Sequence, residues 1–233
     1  MTPLLETRDL SRSFGGLKAV SNVNFTMAAG EVRAVIGPNG AGKTTFVSLI
    51  SGRLVPSSGN VLFEGEDITE LAAFKRVRRG IAYTFQITSI YANLTVAENV
   101  ALAAHRPGAN ASLDYLDRVG LADRAGQVAG TLAYGHQRLL EVAMGLALHP
   151  RLLILDEPTQ GLSDLEIANF TALVRTLSQS ATVLLIEHNM PVVMDLAHRI
   201  TVLDRGQILA EGTPEEIRAN RAVQHAYLGT ADA

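Results

Sequence analysis

The stretch Gly37-Pro38-Asn39-Gly40-Ala41-Gly42-Lys43-Thr44 constrains this chain more than any other. It matches the pattern G-x-x-x-x-G-K-[ST] and stands between an apolar run, Val32-Arg33-Ala34-Val35-Ile36, and the apolar-periodic Phe46 to Ile50. In such a strand–loop–helix unit, glycines let successive backbone N–H groups turn inward around phosphate oxygens, and the helix N-terminus adds positive potential. Lys43 then bridges the β- and γ-phosphates of a nucleotide, and the Thr44 hydroxyl binds Mg2+. The chain has only three lysines against seventeen arginines, so a lysine at this position is informative. The expected nucleotide contacts run over Gly37, Asn39, Gly40, Ala41, Gly42, Lys43, Thr44 and Thr45.

The rest of the chain repeats the same alternation. Leu152 to Leu155 and Thr182 to Ile186 are short apolar runs of the length of buried parallel strands. Between them Ile167, Phe170, Val174 and Leu177 share one helical face, opened by the capping-box pair Ser163 and Glu166. The fold class is therefore α/β, with a parallel sheet at its centre. Residues up to about Gly30, together with Gly59 to Gly65, read as an N-terminal antiparallel β layer. From Thr88 to His149 only helices are expected; one is headed by the capping pair Thr95 and Glu98 and broken at Arg106-Pro107-Gly108. The expected division is one domain: residues 1–87 and 150–233 form the α/β core, and 88–149 form an inserted helical subdomain. Thr213-Pro214-Glu215-Glu216 starts a further helix.

Arg151-Leu152-Leu153-Ile154-Leu155-Asp156-Glu157 places two carboxylates at the C-terminal end of a buried strand, where ligands of open α/β sheets lie. Asp156 is the candidate Mg2+ ligand. Glu157 is the candidate for orienting and deprotonating an attacking water, because in-line phosphoryl transfer needs positioning more than covalent chemistry. Together the two motifs imply a nucleoside triphosphate-hydrolysing site. A guanine-reading Asn-Lys-x-Asp sequence does not occur, which disfavours GTP.

Composition narrows the surroundings. The 233 residues carry a net charge of −3, so there is no general basic field for nucleic acid. With no cysteine, disulfides and thiolate chemistry are excluded. The most apolar windows, Val142 to Leu148 and Arg151 to Asp156, are far shorter than a bilayer span, and the N-terminus lacks the pattern of a signal peptide. A cytoplasmic location is expected. The cluster Lys75, Arg76, Arg78 and Arg79 reads as a solvated helical face, with contact to anionic headgroups or an acidic partner as the sharper alternative.

Several further motifs, in order along nearly the whole chain, resemble the ATP-binding subunits of ABC transporters. Phe14 is similar to the aromatic that stacks on adenine, and the resemblance adds Val20 to the nucleotide contacts. Gln86, after Ala82-Tyr83-Thr84-Phe85, resembles the Q-loop glutamine that reaches the metal and reports to the membrane subunits. Leu132-Ala133-Tyr134-Gly135-His136-Gln137 resembles the signature motif, Gly161-Leu162-Ser163-Asp164 the D-loop, and His188 the switch histidine that contacts the γ-phosphate. The signature departs from the common form at Ala133, Tyr134 and His136, and its Leu-Ala-Tyr-Gly variant resembles the branch of branched-chain amino acid importers.

The resemblance implies roles for these residues and partners for the chain. Lys43, Gln86, Glu157 and His188 carry catalysis, while Thr44, Gln86 and Asp156 hold Mg2+. ATP binds at a head-to-tail dimer interface, where Ala133, Gly135 and His136 face the partner's nucleotide. The implied partners are membrane-spanning permease subunits, a second ATPase subunit (the branch usually pairs two different ones, a homodimer being the alternative) and, indirectly, a solute-binding protein. By the same resemblance the chain sits peripherally on the inner face of the cell membrane. The solutes of related importers are branched-chain amino acids, urea, amides or aromatic acids. The histidines outside these motifs, His105, His149, His198 and His225, read as ordinary satisfied polar residues.

Overall fold

A computed structural model describes residues 2–84, 89–104, 109–179 and 181–228. In chain order the first elements are β1 (Leu5–Phe14), β2 (Leu17–Met27), β3 (Val32–Ile36), α1 (Lys43–Ser51), β4 (Ser58–Phe63) and β5 (Glu66–Asp67). There follow α2 (Ala73–Arg78), β6 (Ile81–Thr84), α3 (Val96–Ala103), α4 (Ala109–Arg118) and α5 (Tyr134–Leu146). The remainder comprises β7 (Leu152–Asp156), α6 (Asp164–Ser178), β8 (Thr182–Ile186), α7 (Met190–Leu196), β9 (Arg199–Asp204), β10 (Gln207–Gly212), α8 (Pro214–Ala219) and α9 (Arg221–Leu228).

Two sheets result. A four-stranded antiparallel sheet has the order β2-β1-β4-β5, and a six-stranded sheet has the order β10-β9-β3-β8-β7-β6. In the second sheet every pairing is parallel except the terminal hairpin β9–β10. The expected α/β core with an antiparallel layer is thus present, and helices α3 to α5 stand between β6 and β7 as an insertion.

The period-2 alternation of the buried strands sorts the core into faces. Leu152, Ile154, Leu184, Ile186 and Val35 pack with Phe46, Val47, Leu49 and Ile50 of α1 and with the antiparallel sheet. Leu153, Leu155, Val183 and Leu185 face the other way, toward α3 to α6. Helix α1 is therefore enclosed between two sheets, and every residue from Phe46 to Ser51 is buried. Both expected capping boxes form: Thr95 and Ser163 each exchange hydrogen bonds with the glutamate three residues on.

The basic cluster on α2 is not one solvated face. Lys75, Arg78 and Arg79 are exposed, and Arg79 pairs with Glu66. Arg76, however, is only 1% exposed and turns inward. Its guanidinium donates to the carbonyls of Leu49 and Ile50 in the last turn of α1, each at 2.7 Å, and to Leu71 (2.9 Å) and Thr69 (2.7 Å). A helix end buried between two sheets leaves carbonyls that water cannot reach, and this cation supplies their donors.

Candidate active site

Three neighbouring strands of the parallel sheet end side by side. Val35 of β3 is in register with Ile186 of β8, and Ile186 is in register with Asp156 of β7. The chain leaving β3 is the glycine loop, that leaving β7 begins with Glu157, and that leaving β8 carries Glu187 and His188. Residues far apart in sequence thus share one sheet edge.

The glycine loop passes close under other backbone. Gly37 has φ 153° and Gly42 has φ 99°; a Cβ on the first would lie 2.2 Å from the Leu203 carbonyl oxygen, and on the second 2.2 Å from that of Ala19. Only glycine meets both the dihedral and the steric demand. The loop is pinned further by Gly206 N–H donating to Ala41 (2.9 Å) and Ala41 N–H donating to Pro38 (3.1 Å). Lys43 is buried and folds back over the loop, its Nζ donating to the carbonyls of Gly37 (2.6 Å) and Pro38 (3.1 Å). Burial lowers the pKa of its ammonium, and the carboxylates of Glu157 and Asp156, both within Coulombic reach, oppose that shift. Thr44 is exposed and Thr45 half-buried in the first turn of α1.

Asp156 is buried at the end of β7 and accepts a 2.6 Å hydrogen bond at Oδ2 from the Tyr83 hydroxyl. Burial raises its carboxyl pKa, the Tyr83 bond opposes this, and the charge of Glu157 adds to the rise. Glu157 adopts φ 47°, unusual for a residue with a side chain, with its N–H donating to Ile186 at 2.9 Å. That turn sends Glu157 away from the strand direction at the sheet edge.

His188 has a side chain 59% exposed, at the surface beside this edge. Its loop is held by a residue that no motif marks. Glu187 is fully buried, and its carboxylate accepts from Thr159 N–H (3.0 Å), the Thr159 hydroxyl (2.5 Å), His188 N–H (2.9 Å) and Asn189 N–H (3.0 Å). One carboxylate therefore ties the turn after Glu157 to the turn carrying His188. An acid directly after an apolar strand is the only sequence signal that points to it. Tyr83 is a second such residue, and Glu141 of α5 a third: its carboxylate accepts from Ser89 N–H (2.5 Å) and from Arg138 (3.1 Å). Gln86 lies outside the described residues.

The signature residues stand elsewhere. Ala133 caps α5 without a side-chain hydrogen bond, Gly135 is buried, and His136 is half-buried. Their neighbours are at the start of α6. A Cβ on Gly135 would meet the Glu166 carboxylate at 2.1 Å, and one on Gly161 would meet the Tyr134 ring at 3.1 Å. Bonds from Ser163 lower the pKa of Glu166, with His136 adding a smaller electrostatic contribution. Phe14 is 44% exposed at the β1–β2 hairpin under the Arg12 guanidinium, 4.8 Å from the ring centroid, whereas Val20 is buried in the core between the sheets. Of the remaining histidines described, His198 Nδ1 accepts from Val32 N–H (2.9 Å) and His149 bonds the Tyr115 hydroxyl (2.8 Å).

Asp156 itself carries the mark of a cation site. Its second oxygen, Oδ1, is buried and has no hydrogen-bond partner among the described residues. A carboxylate oxygen in that state, beside a phosphate cradle, suits a hard cation that takes oxygen ligands. Among the described residues no helix is long and apolar enough to cross a membrane.

Known proteins are similar to this chain in sequence and fold. The family model for ABC transporters matches residues 20–160, and that for branched-chain amino acid ATP-binding cassette transporters matches residues 207–233. The chain is 40% identical to the high-affinity branched-chain amino acid transport ATP-binding protein BraF of Pseudomonas aeruginosa, covering 98% of this chain and 99% of the relative. It is 38% identical to the corresponding LivG protein of Escherichia coli K12 over the same shares. Among solved structures, an ATP-binding cassette of an ABC transporter in its ADP conformation superimposes with a TM-score of 0.91 at 28% identity, covering 98% of this chain and all of that one.

Proposed function

The chain belongs to the ABC transporter family of ATP-binding cassettes, and on that footing we propose that it is the ATP-hydrolysing subunit of an importer for branched-chain amino acids or a related small solute. The observation that carries the catalytic reading is the single sheet edge shared by the Lys43 loop, the Asp156–Glu157 pair and the His188 turn. Backbone N–H groups of the loop and the first turn of α1, among Asn39, Gly40, Gly42, Lys43, Thr44 and Thr45, bind the phosphates, and the Lys43 ammonium offsets charge on the β- and γ-phosphate oxygens. Glu157 orients a water in line with the γ-phosphate and accepts its proton at the carboxylate, while His188 contacts the γ-phosphate. Thr44 and Asp156, joined by Gln86, would hold Mg2+. When bound, that ion supplies Lewis-acid stabilisation of phosphoryl charge. Phe14, exposed at the β1–β2 hairpin, stacks on the adenine, whereas Val20 lies in the core between the sheets.

The exposed N-terminus of α5 supports a role for Ala133, Gly135 and His136 at a second subunit's ATP, in a head-to-tail pair. We read residues 1–87 with 150–233 as the nucleotide-binding core and 88–149 as the helical subdomain that meets the permease subunits. A second, different ATPase is the favoured partner. The working location is the inner face of the cell membrane, with a solute-binding protein acting on the far side. The solute assignment rests on the function for which the relatives are named and on the C-terminal match at residues 207–233.

Glu157→Gln tests the reading. The variant is expected to bind ATP as the wild type does, to lose hydrolysis, and to form an ATP- and Mg2+-dependent dimer in light scattering. Hydrolysis at the wild-type rate would remove Glu157 as the base. A monomer under saturating ATP would assign closure to a different ATPase subunit or to the membrane subunits.

A further inference from the structure

Tyr83, in the segment leading to Gln86, is given no role by the nucleotide-site motifs, yet its hydroxyl is bonded to the carboxylate proposed to hold the cation. The strand geometry explains the contact. Tyr83 of β6 is in parallel register with Ile154 of β7, and Asp156 lies two residues beyond Ile154 on the same face of the sheet. Both Tyr83 and Ile154 point toward the core that contains α1. The phenol reaches forward along that face to Asp156 Oδ2 at 2.6 Å. The Arg53 guanidinium, just past the end of α1, sits over the Tyr83 ring, 5.1 Å from its centroid. The carboxylate holds the hydroxyl and the cation covers the ring, so the side chain cannot swing away without losing both.

This contact uses only one of the two carboxylate oxygens. The other, Oδ1, is buried and unpartnered among the described residues. We infer that Tyr83 is a positioning residue: it holds Asp156 by Oδ2 so that Oδ1 is presented to the divalent cation that accompanies ATP. The inference rests on the reading of Asp156 as a cation-holding residue. Partners of this kind, which orient a ligand rather than bind the metal, change metal affinity by about 10–100-fold when removed.

The test uses the full chain with Mn2+ and a non-hydrolysable ATP analogue. Mn2+ affinity in the ternary complex is read by electron paramagnetic resonance, and analogue affinity without metal by calorimetry. Tyr83→Phe removes one oxygen atom and keeps the ring; a thermal melt establishes that the variant is folded. The expected result is at least ~10-fold weaker Mn2+ binding with metal-free analogue affinity unchanged. Unchanged Mn2+ affinity would overturn the inference. So would tighter binding, which would make Tyr83 a competitor of the cation, or an equal loss of metal-free analogue binding, which would mean general damage to the site. Asp156→Asn separates the two layers. If it keeps wild-type Mn2+ affinity, the underlying reading of Asp156 fails. If it loses Mn2+ while Tyr83→Phe does not, only the role of Tyr83 fails.

Discussion

Replacing Arg76 by methionine keeps most of the aliphatic stem and deletes the guanidinium. Four carbonyls lose a donor: Leu49 and Ile50 at the end of α1, together with Leu71 and Thr69. Leu49 keeps the Gly52 N–H at 3.4 Å; the other three acceptors are left unsatisfied among the described residues, and at about 1–1.5 kcal/mol each they cost roughly 4 kcal/mol. Part of this is returned, because the cation is itself held at a cost: burial lowers its pKa to about 10, still charged at neutral pH. A net loss of about 3 kcal/mol is expected. For a chain of this size that corresponds to a fall in Tm of roughly 6–12 °C. Arg76→Lys keeps the charge but lacks the planar fork, and should lose about half as much. Urea unfolding of the two variants, beside Lys75→Met as an exposed control, measures the effect. If Arg76→Met costs less than ~1 kcal/mol and matches the control, the guanidinium is not what satisfies the end of α1.

The site and its helices give two further expected outcomes. Glu187→Gln offers one oxygen where the native carboxylate offers two, so amide exchange at His188, Asn189 and Thr159 should accelerate at least ~10-fold while the strands are unaffected. Turnover should fall with little change in nucleotide affinity, and a uniform rise in exchange across β7 and β8 would show instead that the whole sheet was loosened. Hydrogen bonds from Thr95 and Ser163 hold the carboxyls of Glu98 and Glu166 below the ordinary glutamate range. Their folded pKa values are depressed, so this stability is present above the unfolded glutamate value and lost as pH falls through the folded one. The stability gap between wild type and a Thr95→Ala, Ser163→Ala double variant, measured by urea titration, should therefore be wider at pH 6 than at pH 3; an equal gap would mean the hydroxyl–carboxylate bonds contribute nothing, since the backbone N–H donors to both carboxylates stay in the variant.

Local pattern determined much of this protein. The glycine loop, the apolar runs at Val32, Leu152 and Thr182, and the capping pairs at Thr95 and Ser163 depend on neighbours within a few residues, and each forms where the sequence signals it. That Lys43 opens α1 and Asp156 ends β7 was legible for the same reason, since motif spacing is itself a local quantity. Three things were not local. The order β9-β3-β8-β7, which brings the loops after Ile36, Asp156 and Ile186 to one edge, depends on pairing between distant strands that no single segment encodes. The strand β6 and the hairpin β9–β10 lacked distinctive signals of their own and are set by the sheet they complete. Arg76, Tyr83 and Glu187 look like ordinary polar residues in sequence. Only packing decides that one closes a buried helix end, another grips the Asp156 carboxylate, and the third joins two loops, because a buried polar group acquires meaning from the partners that the fold brings to it.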